Sequence, residues 1–254
     1  MKKYLLFLFI IFFCKCTESN LTVHEGSNSS NGTLELVQTF GGSKNDVAKS
    51  VVSTVDGGFA VLGYTQSLDG DITDKATENY DFWMLKFDSE AQLEWNKTYG
   101  GSGDERGRSL IETSDGGYAL LGYSDSSDGD VSSNNGNRDF WLVKINASGV
   151  LLWEKSFGYE GVDEGASIIE TSDNHLMLSG VLDVTASGGE GNQGRFSTRH
   201  AGGDYWAIKI TPTGDIVWSR FYGGTFTDSP TGIKETLNDG LISVGGSDSN
   251  DVDI

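Results

Sequence analysis

One pattern recurs four times along this chain, and it restricts the possible folds more than any other feature. LEWNKTYGGSGDERGRSLIETSDGGYALLGY from residue 93, LLWEKSFGYEGVDEGASIIETSDNHLMLSG from 151 and IVWSRFYGGTFTDSPTGIKETLNDGLISVGG from 216 align almost residue for residue. LELVQTFGGSKNDVAKSVVSTVDGGFAVLGY from 34 lacks only the Trp. Between these segments lies a second shared block, YDFWMLKF, RDFWLVKI and DYWAIKI, anchored by Trp83, Trp141 and Trp206. Those three Trp are 58 and 65 residues apart, and so are Trp95, Trp153 and Trp218. A period of this length indicates units that stack on or radiate around one another, because a single unit cannot bury its own apolar faces.

Within a unit, short β-rich runs alternate with turn residues, which predicts four strands. In the second unit these are 108–113, 118–124, 139–146 and 150–157. Ser114-Asp115-Gly116-Gly117 and Ala147-Ser148-Gly149 supply hairpin loops in which Gly can take positive φ. The expected fold is all-β: a β-propeller of four-stranded antiparallel blades, about three and a half of them, over residues 34–254. The units fall near 34–92, 93–150, 151–215 and 216–254. A fourth-type strand over 34–40 opens the series, and the last unit stops after its second strand. That leaves an open sheet edge, so the chain reads as part of a longer propeller, as a ring one blade short, or as a ring closed by a second chain. Trp and Phe that return at the same place in every unit are expected where blades pack, with sugar-stacking platforms as the other reading.

The units, of the form W-x-K-x-[YF]-G-G-S…T-S-D-G-G-[YF]…D-[FY]-W, resemble those of bacterial repeat lipoproteins and secreted proteins taken to be β-propellers. The resemblance runs from Leu34 to the end. It implies the fold, while saying little about activity. The run Lys144-Ile145-Asn146-Ala147-Ser148-Gly149…Trp153 is also similar to quinoprotein repeats, which implies a shared strand-turn-strand and no quinone cofactor.

The N-terminus reads MKKYLLFLFIIFFCKC. Lys2 and Lys3 precede a ten-residue apolar stretch that is too short to span a bilayer. Cysteine follows it, as in the signal peptides of bacterial lipoproteins, where that Cys is acylated. The resemblance implies a signal peptide over 1–16 lipidated at Cys16, or alternatively at Cys14. An ordinary secretion signal is the other reading. The polar stretch 17–33 reads as a flexible tether. The implied place is the cell envelope, lipid-anchored at the outer membrane or surface of a Gram-negative bacterium. Both cysteines of the chain lie in this segment, which leaves the repeat domain no disulfide.

A formal net charge of −19 disfavours nucleic acids and anionic membranes and leaves cations, neutral glycans and basic protein patches as partners. In the expected blade, the loop from second to third strand and the loop into the next blade leave from one face. Both are acidic. The first kind carries Asp69 and Asp71, Asp128 and Asp130, and Asp251 and Asp253; the second carries Asp46, Asp104 with Glu105, Asp163 with Glu164, and Asp228. Asp69, Asp71, Asp128 and Asp130 sit in D-G-D loops whose spacing echoes calcium loops, although Thr65 and Ser124 stand where such loops begin with Asp. Plain turn chemistry is the alternative. The third unit carries seven extra residues in a Gly-rich loop bearing Arg195, Arg199 and His200, a place for a ligand or for mere charge balance.

No nucleophile triad, His metal site or phosphate loop is present in the sequence, so no catalytic residue is nominated. The function expected is non-catalytic: an envelope-anchored module presenting an acidic loop face to a protein, glycan or cation. A glycan-active hydrolase, or a component of a polysaccharide-utilisation system, is the alternative. No cofactor is expected apart from calcium.

Overall fold

The computed structural model describes residues 37–188, 190 and 201–250. Fourteen strands occur among them: β1 (Asp46–Ser53), β2 (Phe59–Thr65), β3 (Asp81–Phe87), β4 (Leu93–Tyr99), β5 (Glu105–Glu112), β6 (Tyr118–Ser124), β7 (Asp139–Ile145), β8 (Leu151–Phe157), β9 (Glu164–Glu170), β10 (Leu176–Asp183), β11 (Gly203–Ile210), β12 (Ile216–Tyr222), β13 (Asp228–Glu235) and β14 (Leu241–Ser247). There is no helix among the described residues, so none there is long and apolar enough to cross a membrane. The strands pair antiparallel in chain order, giving sheets I (β1 to β4), II (β5 to β8), III (β9 to β12) and the two-stranded IV (β13, β14).

In sheet II the expected strand 118–124 coincides with β6, and the other three expected strands differ from β5, β7 and β8 only at their ends. The sheets are out of phase with the sequence units, since the segment at 93 opens with β4, the last strand of sheet I. The expected strand over 34–40 does not form in its described part. Residues 37–40 pair with no described strand, and Phe40 is held by packing edge-on against Phe87, with ring centres 5.1 Å apart. Residues 34–36 lie outside the described residues.

The repeated turns have a repeated fastening. Thr54, Thr113 and Thr171 donate their hydroxyls to Asp56, Asp115 and Asp173 two residues on. Those aspartates then receive the Nζ of Lys86, Lys144 and Lys209 from the third strand, at 2.8, 2.9 and 2.7 Å. Lys86 and Lys144 are buried, which makes the D-G-G turn the counter-charge their ammonium groups require. Lys86 and the Thr54 hydroxyl hold Asp56 down at about 2, and against its desolvation Asp115 is held at about 2 by the Thr113 hydroxyl and Lys144.

Each first strand is bulged at the same place, beside Lys49 in β1 and beside Arg108 in β5. A bulge leaves one residue outside the ladder and re-aims its side chain. Successive sheets meet first strand to first strand, β1 with β5, β5 with β9 and β9 with β13, while β2 lies against β5 and β6 against β9. Rings fill these seams: Trp141 of sheet II packs on Phe82 of sheet I at 4.7 Å, and Trp206 of sheet III on Phe140 of sheet II at 5.0 Å. All four rings are fully or almost fully buried. At roughly 25 cal/mol for each Å² of apolar surface buried, rings of this size supply several kcal/mol per seam. β14 departs from the scheme, being exposed along its whole length where β2, β6 and β10 are mostly buried.

Candidate functional site

The loops that join one sheet to the next and those that join second to third strands come together at the same end of the sheets, and the acidic residues there are turned inward. In the loop before β1, Gly41 donates its N–H to Asp71 at 2.8 Å, Gly42 to Asp46 at 2.7 Å, Ser43 to Asp69 at 2.7 Å and Lys44 to Ser67 Oγ at 2.9 Å. The loop before β5 repeats the arrangement: Gly100 donates to Asp130, Gly101 to Glu105, Ser102 to Asp128 and Gly103 to Ser126 Oγ. An irregular loop must find partners for its backbone N–H groups, and charged acceptors make the stronger bonds. Asp69, Asp71, Asp128 and Asp130 are therefore the clasps of their loops. Among the described residues no group of three or more His, Cys, Asp or Glu is arranged to hold a metal ion.

Beneath these loops lie carboxyl groups that the sequence did not bring together. Asp81, which begins β3, faces Glu105, which begins β5; a methyl group placed on Gly100 would lie 2.6 Å from Glu105 Oε2 and 2.7 Å from Asp81 Cγ. A methyl group placed on Gly223 would likewise lie 2.5 and 2.6 Å from carboxylate oxygens of Asp204 and Asp228. Between sheets II and III the corresponding residues are Asp139 and Asp163, neither of them exposed. Burial pushes Asp163 up to about 7, with the Asp139 and Asp183 charges adding to it against the N–H groups of Tyr159 and Asp183. Burial likewise pushes Asp81 up to about 6, although Lys75 Nζ, 2.7 Å away, pulls the other way. Asp139 and Glu105 are raised by the same desolvation.

At this end partly exposed arginines also lie over tyrosine rings. The Arg106 guanidinium lies 4.4 Å from the ring centre of Tyr80 and 5.4 Å from that of Tyr64, and the two rings meet edge to face at 5.4 Å. Arg138 and Arg108 lie 4.8 and 5.5 Å from the ring of Tyr123, and Lys49 lies 5.8 Å from Tyr64. Arg106 pairs with Asp104 at 3.3 Å; Arg138 and Arg108 share Glu164 at 2.9 and 3.8 Å. The bulges explain part of this, for they aim Lys49 and Arg108 at the tyrosines of the adjoining second strands. The sequence signal was an R-G-R run and a Tyr repeated in G-Y-T and G-Y-S.

The sequence nominated Cys16, Cys14, Arg195, Arg199 and His200 as well, and all five lie outside the described residues. So do Asp251 and Asp253. His175 lies in the turn between β9 and β10, with Nδ1 3.1 Å from the Asp173 carbonyl oxygen. Compared with protein-family models and with curated proteins, the chain matches none.

Proposed function

We propose that this chain is a non-catalytic binding module of the bacterial cell envelope, anchored through an acylated Cys16 and built from propeller-type blades, with the loop end of its sheets as the recognition face. One observation carries the reading: carboxylates clasp the loops by their backbone N–H groups, while Arg106, Arg108 and Arg138 at the same end keep 30 to 35% of their side chains exposed. Rigid loops on a layered scaffold suit selective binding, since little ordering entropy is lost when a ligand arrives. First strands set against first strands favour radial stacking. The partner is a glycan or a protein.

The second reading, a glycan-active hydrolase, draws on the carboxyl pairs, because a carboxyl raised to about 7 is suited to general acid work. Asp139 and Asp163 are, however, sealed beneath the loops, where a glycosidic bond does not reach them.

The deciding experiment uses the intact protein, screened for binding to an oligosaccharide array and to envelope proteins, and assayed on the same glycans for release of reducing ends. Saturable binding without turnover is expected. Turnover abolished by Asp163→Asn would establish the hydrolase instead, and absence of both binding and turnover would remove the recognition face. Mass spectrometry of the mature protein should find the acyl chains on Cys16, and Cys16→Ala should release the protein from membranes. Acylation at Cys14 would move the anchor, and an unmodified, freely soluble mature chain would abolish it.

A further inference from the structure

Three of the four arginines among the described residues gather at one point on a chain of net charge −19. Random placement of scarce cations on an acidic protein would pair each with a nearby carboxylate at the surface. Here Arg106, Arg108 and Arg138, with Lys49 beside them, are matched by two directly paired carboxylates, Asp104 and Glu164. Asp104 also accepts the Tyr80 N–H at 3.2 Å, so three guanidinium groups draw on two directly paired carboxylates.

The stacking decides which form that charge takes. A guanidinium held over an aromatic ring is partly desolvated by it, and its remaining N–H groups can still donate to a planar oxyanion. Held over Tyr64 and Tyr80 on one side and Tyr123 on the other, the three groups have little freedom left to lose on binding. A carboxylate accepts such a fork in two parallel hydrogen bonds. Tyr64 and Tyr80 are only half-buried, so an apolar ledge adjoins the cationic one. A ligand that meets both is a sugar ring with a carboxylate on it. The surrounding acidic surface repels polyanions, which limits the charge of the ligand to one local group.

We propose that the cluster of Arg106, Arg108 and Arg138 over Tyr64, Tyr80 and Tyr123 is a binding site for the carboxylate of an acidic sugar carried on an otherwise neutral glycan. The proposal rests on the loop end being the recognition face and names the chemistry it selects.

The intact protein is titrated calorimetrically with methyl β-D-glucuronide, methyl β-D-glucoside, polygalacturonate and an N-acetylated peptide ending in a free carboxylate. The glucuronide is expected to bind saturably, the glucoside about tenfold more weakly or not at all, and Arg106→Gln and Arg138→Gln to weaken the glucuronide about five- to tenfold, the range of a lost charge-assisted bond. Arg138→Lys keeps the charge and loses the fork, and is expected to recover only part of the affinity. Unchanged melting temperatures of the variants separate lost binding from lost folding. Equal binding of glucuronide and glucoside, or variants that bind as the parent does, would overturn the site. Tighter binding of the peptide or of polygalacturonate, with the same dependence on Arg106 and Arg138, would overturn the singly charged sugar as its ligand. A glycan or protein found in the array whose binding ignores both variants sinks this inference alone; an array without any binding sinks the recognition face itself.

Discussion

At the scale of single residues, two kinds of aspartate respond to acid in opposite directions. Asp81 and Asp163, raised to about 6 and about 7 by burial, bind protons more readily folded than unfolded, so their contribution to stability is complete below the ordinary carboxylate range and is lost as pH rises through 6 to 7. Asp56 and Asp115, held near 2 by Lys86 and Lys144, stabilise above that ordinary range and cease to do so as pH falls toward 2. The melting temperature should therefore peak at about pH 4 to 5 and decline toward pH 8, a lower optimum than most proteins show. Asp163→Asn should flatten the alkaline decline; a profile that rises steadily from pH 5 to 8 would refute the assignment. A backbone effect acts at the same scale. Ala91 holds φ at 61°, where Gly149 and Gly214 occupy the equivalent turns of the other sheets. Ala91→Gly should stabilise the protein by about 0.5–1 kcal/mol in chemical denaturation, because a side chain is strained in that region.

At the scale of elements, sheets are joined by rings and by glycines that let carboxyl groups meet. Trp141 packs on Phe82 and donates its Nε1–H to Glu154 at 2.8 Å, so Trp141→Ala removes both a ring from the seam and a partner from Glu154. A loss of about 3–5 kcal/mol is expected, measured by urea denaturation. Gly100→Ala would drive a methyl into Glu105 and Asp81 and should cost about 1–3 kcal/mol as overpacking, whereas the same change at exposed Gly116 meets no neighbour and costs only its positive φ. The strands themselves were legible because each unit repeats the same alternation and turn residues at the same places, D-G-G in the first two units; β6 has the bounds expected of it. The stretch 37–40 was misread because it repeats the sequence of a fourth strand without a described strand beside it, and a ladder depends on its neighbour.

Across the whole molecule, the repeat that makes the strands legible hides the site. The Arg106 stack joins β5 of one sheet to β2 and the loop before β3 of another, and no local spacing encodes that meeting. The acidic loops were legible as acidic, but their role depended on which way the carboxylates turn, and backbone N–H groups decide that only in the folded chain. Leu241, Ile242 and Val244 are 37, 55 and 57% exposed along β14, which among the described strands pairs with β13. The claim on which the account turns is that the loop-end carboxylates hold backbone and leave recognition to the arginines. Amide hydrogen exchange over residues 100–103, with and without calcium, tests it in the parent protein and in the Asp128→Asn, Asp130→Asn double variant. The account predicts protected amides in the parent that calcium does not alter, and exchange about tenfold faster in the variant. Amides unprotected until calcium is added would contradict it.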